Sequence, residues 1–429
     1  MKVTREELAP GIALTAIQTD KFKSASLSVH FLTPLSAETA SSNALMPYVL
    51  RRGCRRWPTM GEVSARLEEL YGGAIEPVVG KKGETQCLGL VGSFLDDAYA
   101  LEGEPVLESA AELLTELLLE PVQEQGAFKG EYVAGERENL IQAIRSQVND
   151  KRRYATLRLT QEMCRKEACG VDRLGSEEDA AAITPQSAWA AYEDVLSTAQ
   201  VELHYCGSAQ IDRVKKALDR LVEGLKGHRG AKLVELDCKV LCNAVQEEPR
   251  VVVDHLDVAQ GKLTMGFRTG GACVWTDNYP ALLVFSALYG GTATSKLFMN
   301  VREKLSLCYY ASSAVEAIKG IMVVSSGVEF DKMQQAQDEI LAQLEAVKAG
   351  DFTEEELTSA KQAVINSYQS ALDSRSQLEN YWLGAAVAGV GESPEELIGR
   401  LKQVTAQDVS TLAQAMELDT VYRLMGKEG

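Results

Sequence analysis

Apolar and polar residues alternate in two stretches of the chain, which is the pattern of a strand with one buried face. In 27–31, Leu, Val and Phe alternate with Ser and His, and in 263–267, Leu, Met and Phe alternate with Thr and Gly. Each stretch precedes an apolar segment that predicts a helix ending at glycine, over 41–53 and 281–291. Among other amphipathic stretches, 135–163 predicts one long helix.

The two halves also share a helix followed by a strand. The stretches Ile183–Tyr192 and Val404–Ala413 each open with an aliphatic residue, a threonine suited to cap a helix, and a glutamine two residues later. Each leads to an alternating strand that ends on glycine, Val201–Gly207 in one half and Val421–Gly426 in the other. This repetition predicts an internal duplication.

The length of the chain, 429 residues, exceeds what one hydrophobic core usually holds. A polar segment from 227 to 250 connects the copies, so we place the domains at 1–226 and 251–429. Few strand–helix–strand alternations have the length that a parallel crossover needs. We therefore predict the α+β class, with two duplicated domains that are each a mostly antiparallel sheet with helices packed on one face.

Composition restricts the partners and the compartment. A formal net charge of −17 disfavours nucleic acid and anionic membrane as partners, because both would repel the chain at long range. The sequence has no signal-peptide pattern and no apolar run of about 18 residues, so we expect a cytoplasmic protein that does not bind membranes. The nine cysteines, an odd number, are best explained as free thiols in a reducing compartment.

Groups that could form a metal or nucleophile site are sparse. The four histidines, His30, His204, His228 and His255, share no i, i+3 or i+4 spacing, so we expect each to be an ordinary side chain rather than a ligand. The cysteine pairs are spaced too widely for a C-x-x-C zinc site. The sequence also lacks a G-x-S-x-G elbow and a G-x-x-x-x-G-K-[ST] phosphate loop.

The stretch Ser295–Tyr309, S-K-L-F-M-N-V-R-E-K-L-S-L-C-Y, closely resembles a second-domain motif, S-x-L-F-x-x-V-R-E-K-x-x-L-x-Y. That motif is typical of the pitrilysin and insulinase-like zinc peptidases, which include the mitochondrial processing peptidase. The resemblance implies two peptidase-like domains that enclose a cavity in a clam shell. In active members the Arg and Tyr of the motif contact the bound peptide, and these positions correspond to Arg302 and Tyr309.

Arg302 and Tyr309 have the chemistry for this task, because a guanidinium and a phenol can both donate hydrogen bonds to a peptide carbonyl. We therefore predict that they are candidate peptide-binding residues. The alternative is a structural role, in which Arg302 pairs with Glu303 or a neighbouring helix and Tyr309 sits in the sheet.

Active members of the family carry H-x-x-E-H on a first-domain helix and a further Glu ligand on a later helix. Here Ala44, Pro47 and Tyr48 occupy the three motif positions. Alanine and proline offer no donor or base, and a phenol with a pKa of about 10 is a poor zinc ligand at neutral pH. The later run keeps its first acidic residue, Glu136, but has Ala143 at the ligand position. We therefore expect a degenerate site with no catalytic residues and no zinc.

Three further expectations concern the same region. Pro47 fits a helix only near its first turn, which predicts a helix start there with Ser42 or Asn43 as N-cap. The stretch Arg51–Arg56 is a basic cluster, either a solvated helix end favoured by the helix dipole or a surface for an acidic partner. Tyr71–Ala74 resembles the family's turn into a cleft-lining strand, where peptides can add as an extra strand.

These features predict a non-catalytic homologue that binds a polypeptide beside an active sister chain as a heterodimer, or with a second copy as a homodimer. The chain's length and its A-x-x-P-Y remnant resemble a degenerate bacterial branch associated with modification of translation elongation factor P. The alternatives are a standalone peptide-binding scaffold and an active metal-dependent endopeptidase, for which the four histidines provide no second zinc motif.

Overall fold

The structure, a computed structural model, describes residues 1–242 and 248–427. The chain divides into two compact units, and each unit takes a short segment from the other half of the sequence. Unit 1 comprises Met1–Arg145, Val171–Asp237 and Arg375–Leu383, and unit 2 comprises Ser146–Gly170, Cys238–Ser374 and Gly384–Gly429. Ser146–Gly170 in unit 2 and Arg375–Leu383 in unit 1 are therefore exchanged segments. The predicted division of the sequence at a linker over 227–250 does not account for them.

The strands are β1 (Lys2–Ala9), β2 (Ile12–Gln18), β3 (Ser24–Pro34), β4 (Ala74–Lys82), β5 (Thr85–Leu95), β6 (Gln123–Glu124), β7 (Ala127–Phe128), β8 (Gln200–Gly207), β9 (Arg250–Leu256), β10 (Gly261–Arg268), β11 (Cys308–Glu316), β12 (Ile321–Val328) and β13 (Glu417–Gly426).

The helices are α1 (Ala37–Arg51), α2 (Met60–Glu69), α3 (Val106–Leu119), α4 (Gly130–Ser146), α5 (Lys151–Met163), α6 (Glu177–Ala182), α7 (Pro185–Thr198), α8 (Ile211–His228), α9 (Tyr279–Ser286), α10 (Met333–Lys348), α11 (Glu354–Ala371), α12 (Arg375–Ala388), α13 (Pro394–Gln403) and α14 (Ala406–Gln414). None of the helices within the described ranges has the length and apolar content needed to cross a membrane.

The two large sheets repeat one plan. In the part of the chain that the structure describes, unit 1 has the strand order β1-β2-β8-β3-β5-β4. Unit 2 has the order β11-β12-β10-β13-β9, which is the same series reversed without β1. The pairs β2–β8 and β9–β13 are parallel, and the other neighbours are antiparallel. The predicted duplication and the mostly antiparallel α+β class are confirmed.

The alternating strands bury their apolar side as predicted. In β3 the side chains of Leu27, Val29 and Phe31 are at most 1% exposed and belong to the core of unit 1. The repeated helices also begin where the sequence predicts, because the side chains of Thr184 and Thr405 form capping boxes at the starts of α7 and α14. Short-range sequence patterns therefore predict which face of a strand is buried and where these helices begin.

The prediction of a single helix over 135–163 is wrong. Helix α4 ends at Ser146, and α5 begins at Lys151 with Asp150 as N-cap. The Asp150 carboxylate accepts hydrogen bonds from two backbone N–H groups of the new helix, which satisfies donors that a helix start leaves free. The break lies where the chain passes from unit 1 to unit 2.

Each exchanged segment covers the second face of a sheet. In unit 2, Ala155 and Leu159 of α5 pack against Tyr422 and Leu424 of β13. In unit 1, the first part of α12 covers β3. Polar side chains that alternate with the apolar ones are therefore buried beneath these segments instead of facing solvent.

Candidate functional site

Helix α1 carries the positions of the degenerate zinc motif. It begins at Ala37 with Ser36 as N-cap, so the prediction that it begins near Pro47 with Ser42 or Asn43 as N-cap is wrong. Pro47 lies inside the helix, where a missing N–H and a ring clash cost about 3 kcal/mol. The helix persists because it buries an apolar surface in the core of unit 1, which outweighs the local preference.

The side chains at the motif positions do not fit a zinc ion. Ala44 is fully buried in the core, Pro47 is also buried, and Tyr48 is 37% exposed. Ala143 is exposed on α4. Within residues 1–242 and 248–427, no three His, Cys, Asp or Glu side chains lie close enough together to hold a metal ion. Helix α1 contributes packing to unit 1, and its motif residues Ala44 and Pro47 carry no side-chain donor atom.

Glu136, the acidic residue that matches the family's second motif, forms an ion pair in unit 1. Its carboxylate accepts hydrogen bonds from Arg52 Nε and, at 3.0 Å, from Asn139 Nδ2. Gly135 leaves room for this guanidinium, because a Cβ there would lie 2.8 Å from Arg52 Nη2. Since Arg52 is the C-cap of α1 and Glu136 lies on α4, the pair ties the two helices together.

The basic cluster Arg51–Arg56 finds its partners within unit 1. Arg51 donates a hydrogen bond to a strand carbonyl, and Arg52 pairs with Glu136. Arg55 pairs with Glu120, and Arg56 pairs with Glu112. These internal pairs neutralise most of the charge that an acidic partner would recognise. The cluster therefore joins α1 and its following turn to the acidic side chains of neighbouring helices.

In unit 2, the segment Leu297–Lys304 winds as a π-helix that presents Arg302 to solvent. Val301 is fully buried and anchors the segment. The Arg302 guanidinium carbon lies 4.5 Å from the centroid of the Phe298 ring, a cation–π distance. Arg302 Nε is 3.5 Å from a Glu303 carboxylate oxygen, so the pairing expected for a structural role exists but is long.

Tyr309 stands at a β-bulge. In the pairing of β11 with β12, Cys308 lies opposite Val328 and Tyr310 lies opposite Gly327, so Tyr309 is the extra residue. Bulges redirect side chains and are frequent beside binding sites. The Tyr309 side chain is accordingly 61% exposed and does not pack into the sheet.

Arg302 and Tyr309 line one open cleft of unit 2, with a volume of about 400 Å³. The Tyr309 hydroxyl donates to Glu329 at 3.3 Å, and Lys332 Nζ lies 3.6 Å from the other oxygen of that carboxylate. Contacts this long between exposed groups are weak, so a ligand can replace them at little cost. The remaining lining residues are Glu303, Ser306, Leu307 and Cys308.

The structure also reveals a buried histidine pair that the search for helical spacings missed. His30 on β3 and His204 on β8 have ring centroids 5.6 Å apart, and His30 Nε2 lies 2.7 Å from Glu379 Oε1. Burial, with the nearby His30, lowers the pKa of His204 to about 3. The two residues are neighbours across paired strands, so the register of β3 and β8, and not a spacing along one helix, is the signal that identifies them.

Known proteins similar to this chain include one described as a probable inactive metalloprotease. A family described as "Peptidase M16 inactive domain" matches residues 182–364. The probable inactive metalloprotease YmfF of Bacillus subtilis is 35% identical over 423 residues, which cover 98% of this chain and 97% of that protein.

Solved structures show the same fold. A conserved protein from Enterococcus faecalis V583 aligns with a TM-score of 0.90 and 28% identity, over 100% of this chain and 99% of that one. A peptidase M16 inactive domain from Pseudomonas fluorescens aligns with a TM-score of 0.79 and 15% identity, over 100% and 99% of the two chains. The second likeness concerns the fold alone.

Sequence similarity over the whole chain and the duplicated α+β fold confirm the family expected from the Ser295–Tyr309 motif. The substitutions in α1 distinguish this chain from the members that bind zinc. The chain belongs to the M16 family of pitrilysin and insulinase-like metallopeptidases, and is a non-catalytic homologue within it.

Proposed function

We propose that this chain is a non-catalytic polypeptide-binding subunit that works beside an active M16 sister chain. Arg302 and Tyr309 occupy the positions at which active members contact peptide, and both line one cleft. The positions of the zinc ligands in α1 carry no donors suited to the metal. A chain with this combination can hold a polypeptide while the sister chain supplies the metal chemistry.

The observation that carries this proposal is the exposure of Tyr309 at its bulge, on the same cleft as Arg302. A sheet tyrosine with only a packing role would gain nothing from this exposure. Here the phenol and the guanidinium provide hydrogen-bond donors that suit a backbone carbonyl. The cleft also offers Glu329 and Lys332, which can pair with side chains of either charge.

We place the subunit in the modification of translation elongation factor P, because the chain's length and its A-x-x-P-Y remnant resemble the degenerate branch associated with that process. The sister chain and elongation factor P are therefore the first polypeptides to test as partners.

The decisive experiment is purification of the tagged chain from its native cell, with identification of co-purifying chains and quantification of zinc in each separated component. We expect a homologue with H-x-x-E-H in stoichiometric amount, carrying all the zinc. If the chain arrives alone with an equivalent of zinc of its own, the proposal is refuted. A polypeptide captured without any homologue would instead favour a standalone scaffold, and a second copy alone would favour a homodimer.

A double variant tests the cleft itself. Arg302→Gln with Tyr309→Phe replaces the charged guanidinium by a shorter neutral amide and removes the phenolic hydroxyl, and each lost hydrogen bond is worth about 1 kcal/mol or more, so polypeptide capture should fall at least about tenfold. The sister chain should still co-purify, because the substitutions change only the cleft. The matched control is Arg153→Gln with Tyr99→Phe, which alters the same residue types at exposed positions outside the cleft. Equal capture by both variants would contradict the assigned site.

A further inference from the structure

The outer strand β4 of the unit 1 sheet has one edge that no strand in the described ranges covers. Strands β4 and β5 form a hairpin in which Lys82 lies opposite Thr85 across a two-residue turn. In such a hairpin the closing pair is hydrogen-bonded, and every second pair up the ladder is hydrogen-bonded as well. The residues between those pairs direct their backbone groups to the free edge, and they are Ile75, Pro77, Val79 and Lys81.

Side chains of unit 1 already occupy this edge. Arg51 Nε donates a hydrogen bond to the Ile75 carbonyl at 2.5 Å, and Arg173 Nε donates to the Val79 carbonyl at 3.1 Å. Both acceptors are outward residues, which agrees with the alternation of the hairpin. Between them, Pro77 has no N–H to donate. None of the three successive outward residues Ile75, Pro77 and Val79 therefore offers both a donor and an acceptor.

A loop runs along the same edge. Lys81 Nζ donates to the Val171 carbonyl at 3.1 Å, and the Gln86 side chain donates to the Arg173 carbonyl at 2.7 Å. These bonds hold Val171–Arg173 beside β4. Proline, cationic side chains and covering loops are the devices by which natural sheets block their edges, and β4 combines all three.

We infer that Arg51, Pro77 and Arg173 close the β4 edge to strand addition, so that no polypeptide joins the unit 1 sheet beside β4 as an extra strand. An added strand must exchange N–H and C=O bonds with alternate residues of the edge, and here that exchange is interrupted at three consecutive steps. This goes beyond the proposed function, because it excludes strand addition at the β4 edge whatever the cleft of unit 2 holds. A ligand that contacts unit 1 at this edge is then selected through side chains and single carbonyl contacts, without a requirement for extended conformation.

Hydrogen–deuterium exchange of β4 tests the inference. The probe is a synthetic peptide with the sequence of β5, Thr85–Leu95 with Ser in place of Cys87, because β4 already pairs with this sequence. The full chain is compared with the variant Arg51→Met, Pro77→Val, Arg173→Met, in which both long side chains keep much of their apolar stem. A control variant, Arg55→Met with Arg56→Met, removes two cations of the same region that do not contact β4.

With the wild type and the control, excess probe should leave the exchange rate of 74–82 unchanged, and with the triple variant it should slow that rate at least about tenfold. Protection of the wild-type strand by the probe would show an open edge and overturn the inference. A folded triple variant that ignores the probe would also overturn it, because the edge would then be closed by something other than these residues. If the triple variant does not fold, Pro77→Val with Arg173→Met is measured instead, with the same two criteria.

Discussion

Four buried charges hold the exchanged segment Ser146–Gly170 on unit 2, and removing one of them should destabilise that unit strongly. Glu167 accepts a hydrogen bond from Arg268 Nη2 at 2.7 Å, and its other oxygen lies 2.5 Å from Lys319 Nζ. Arg268 also bonds Asp419 at 3.0 Å. Both cations are fully buried, and the two carboxylates are nearly so. Two positive and two negative charges thus compensate one another inside unit 2.

Glu167→Gln leaves two buried cations with a single carboxylate. Breaking a buried pair costs about 3–5 kcal/mol, and Glu167 serves both cations, so we expect the upper part of that range. Unit 2 contains about 200 residues, for which 1 kcal/mol moves Tm by about 2–4 °C. The melting transition of unit 2 should therefore fall by about 8–20 °C at pH 7.

Burial alone would raise the pKa of Glu167, but hydrogen bonds from Arg268 and Lys319 outweigh it and hold the pKa below its ordinary value. The stabilisation is then present above a pH of about 4.5 and is lost as the pH falls further. Wild type and Glu167→Gln should converge in Tm in acid. The assay is calorimetry from pH 7 to pH 3, with Glu162→Gln as a control, because that residue of the same segment is partly exposed. A Tm difference at pH 7 no larger than the control's, or two parallel pH curves, would refute the reasoning.

Three further outcomes are expected. Restoring H-x-x-E-H by substitution at Ala44, Pro47 and Tyr48 should not recover zinc binding, measured by elemental analysis, and a full equivalent of bound zinc would contradict this. The substitutions should also lower Tm, because a histidine overpacks the site of the fully buried Ala44, which costs about 1–3 kcal/mol of stability. The imidazole of His204 should stay neutral from pH 8 to pH 5 in NMR titration, since its folded pKa of about 3 lies below the ordinary value of 6.5. The unfolded chain binds this proton more readily, so the protein should lose stability as the pH falls below about 6.5. An NMR midpoint near 6.5 would show an unburied ring. Glu136→Gln should lower the free energy of unfolding by about 1–3 kcal/mol in denaturant titration, because it weakens a charged hydrogen bond that joins α1 to α4. An unchanged denaturation midpoint would show that the pair does not stabilise the fold.

Much of the fold could be predicted because short-range signals agree with it. The buried positions of β3 follow directly from their alternation with polar residues. The starts of α7 and α14 follow from Thr184 and Thr405, whose side chains satisfy the first N–H groups of each helix. The degenerate metal positions Ala44 and Pro47 could be located by motif alone, since the absence of a side-chain donor atom is visible in the residue type.

The remaining features depend on contacts between residues distant in the sequence. His30 and Arg268 occupy the polar positions of their strands, yet both are buried, because a segment from the opposite half of the chain covers each face. Pro47 misleads a local rule, since burial of α1 outweighs one lost hydrogen bond. The exposure of Tyr309 depends on a register shift of one residue, which leaves no mark in the hydrophobic pattern.

The exchange of segments has a consequence for synthesis on the ribosome. Arg375–Leu383 belongs to unit 1, although it is translated after most of unit 2. Until that segment leaves the exit tunnel, the polar face of β3, with His30, lacks the helix that covers it in the finished protein. A nascent chain arrested within 227–250 therefore presents a half-covered sheet, which is a surface that cellular chaperones can bind. The two halves, produced as separate chains, each need the other's segment to complete a unit.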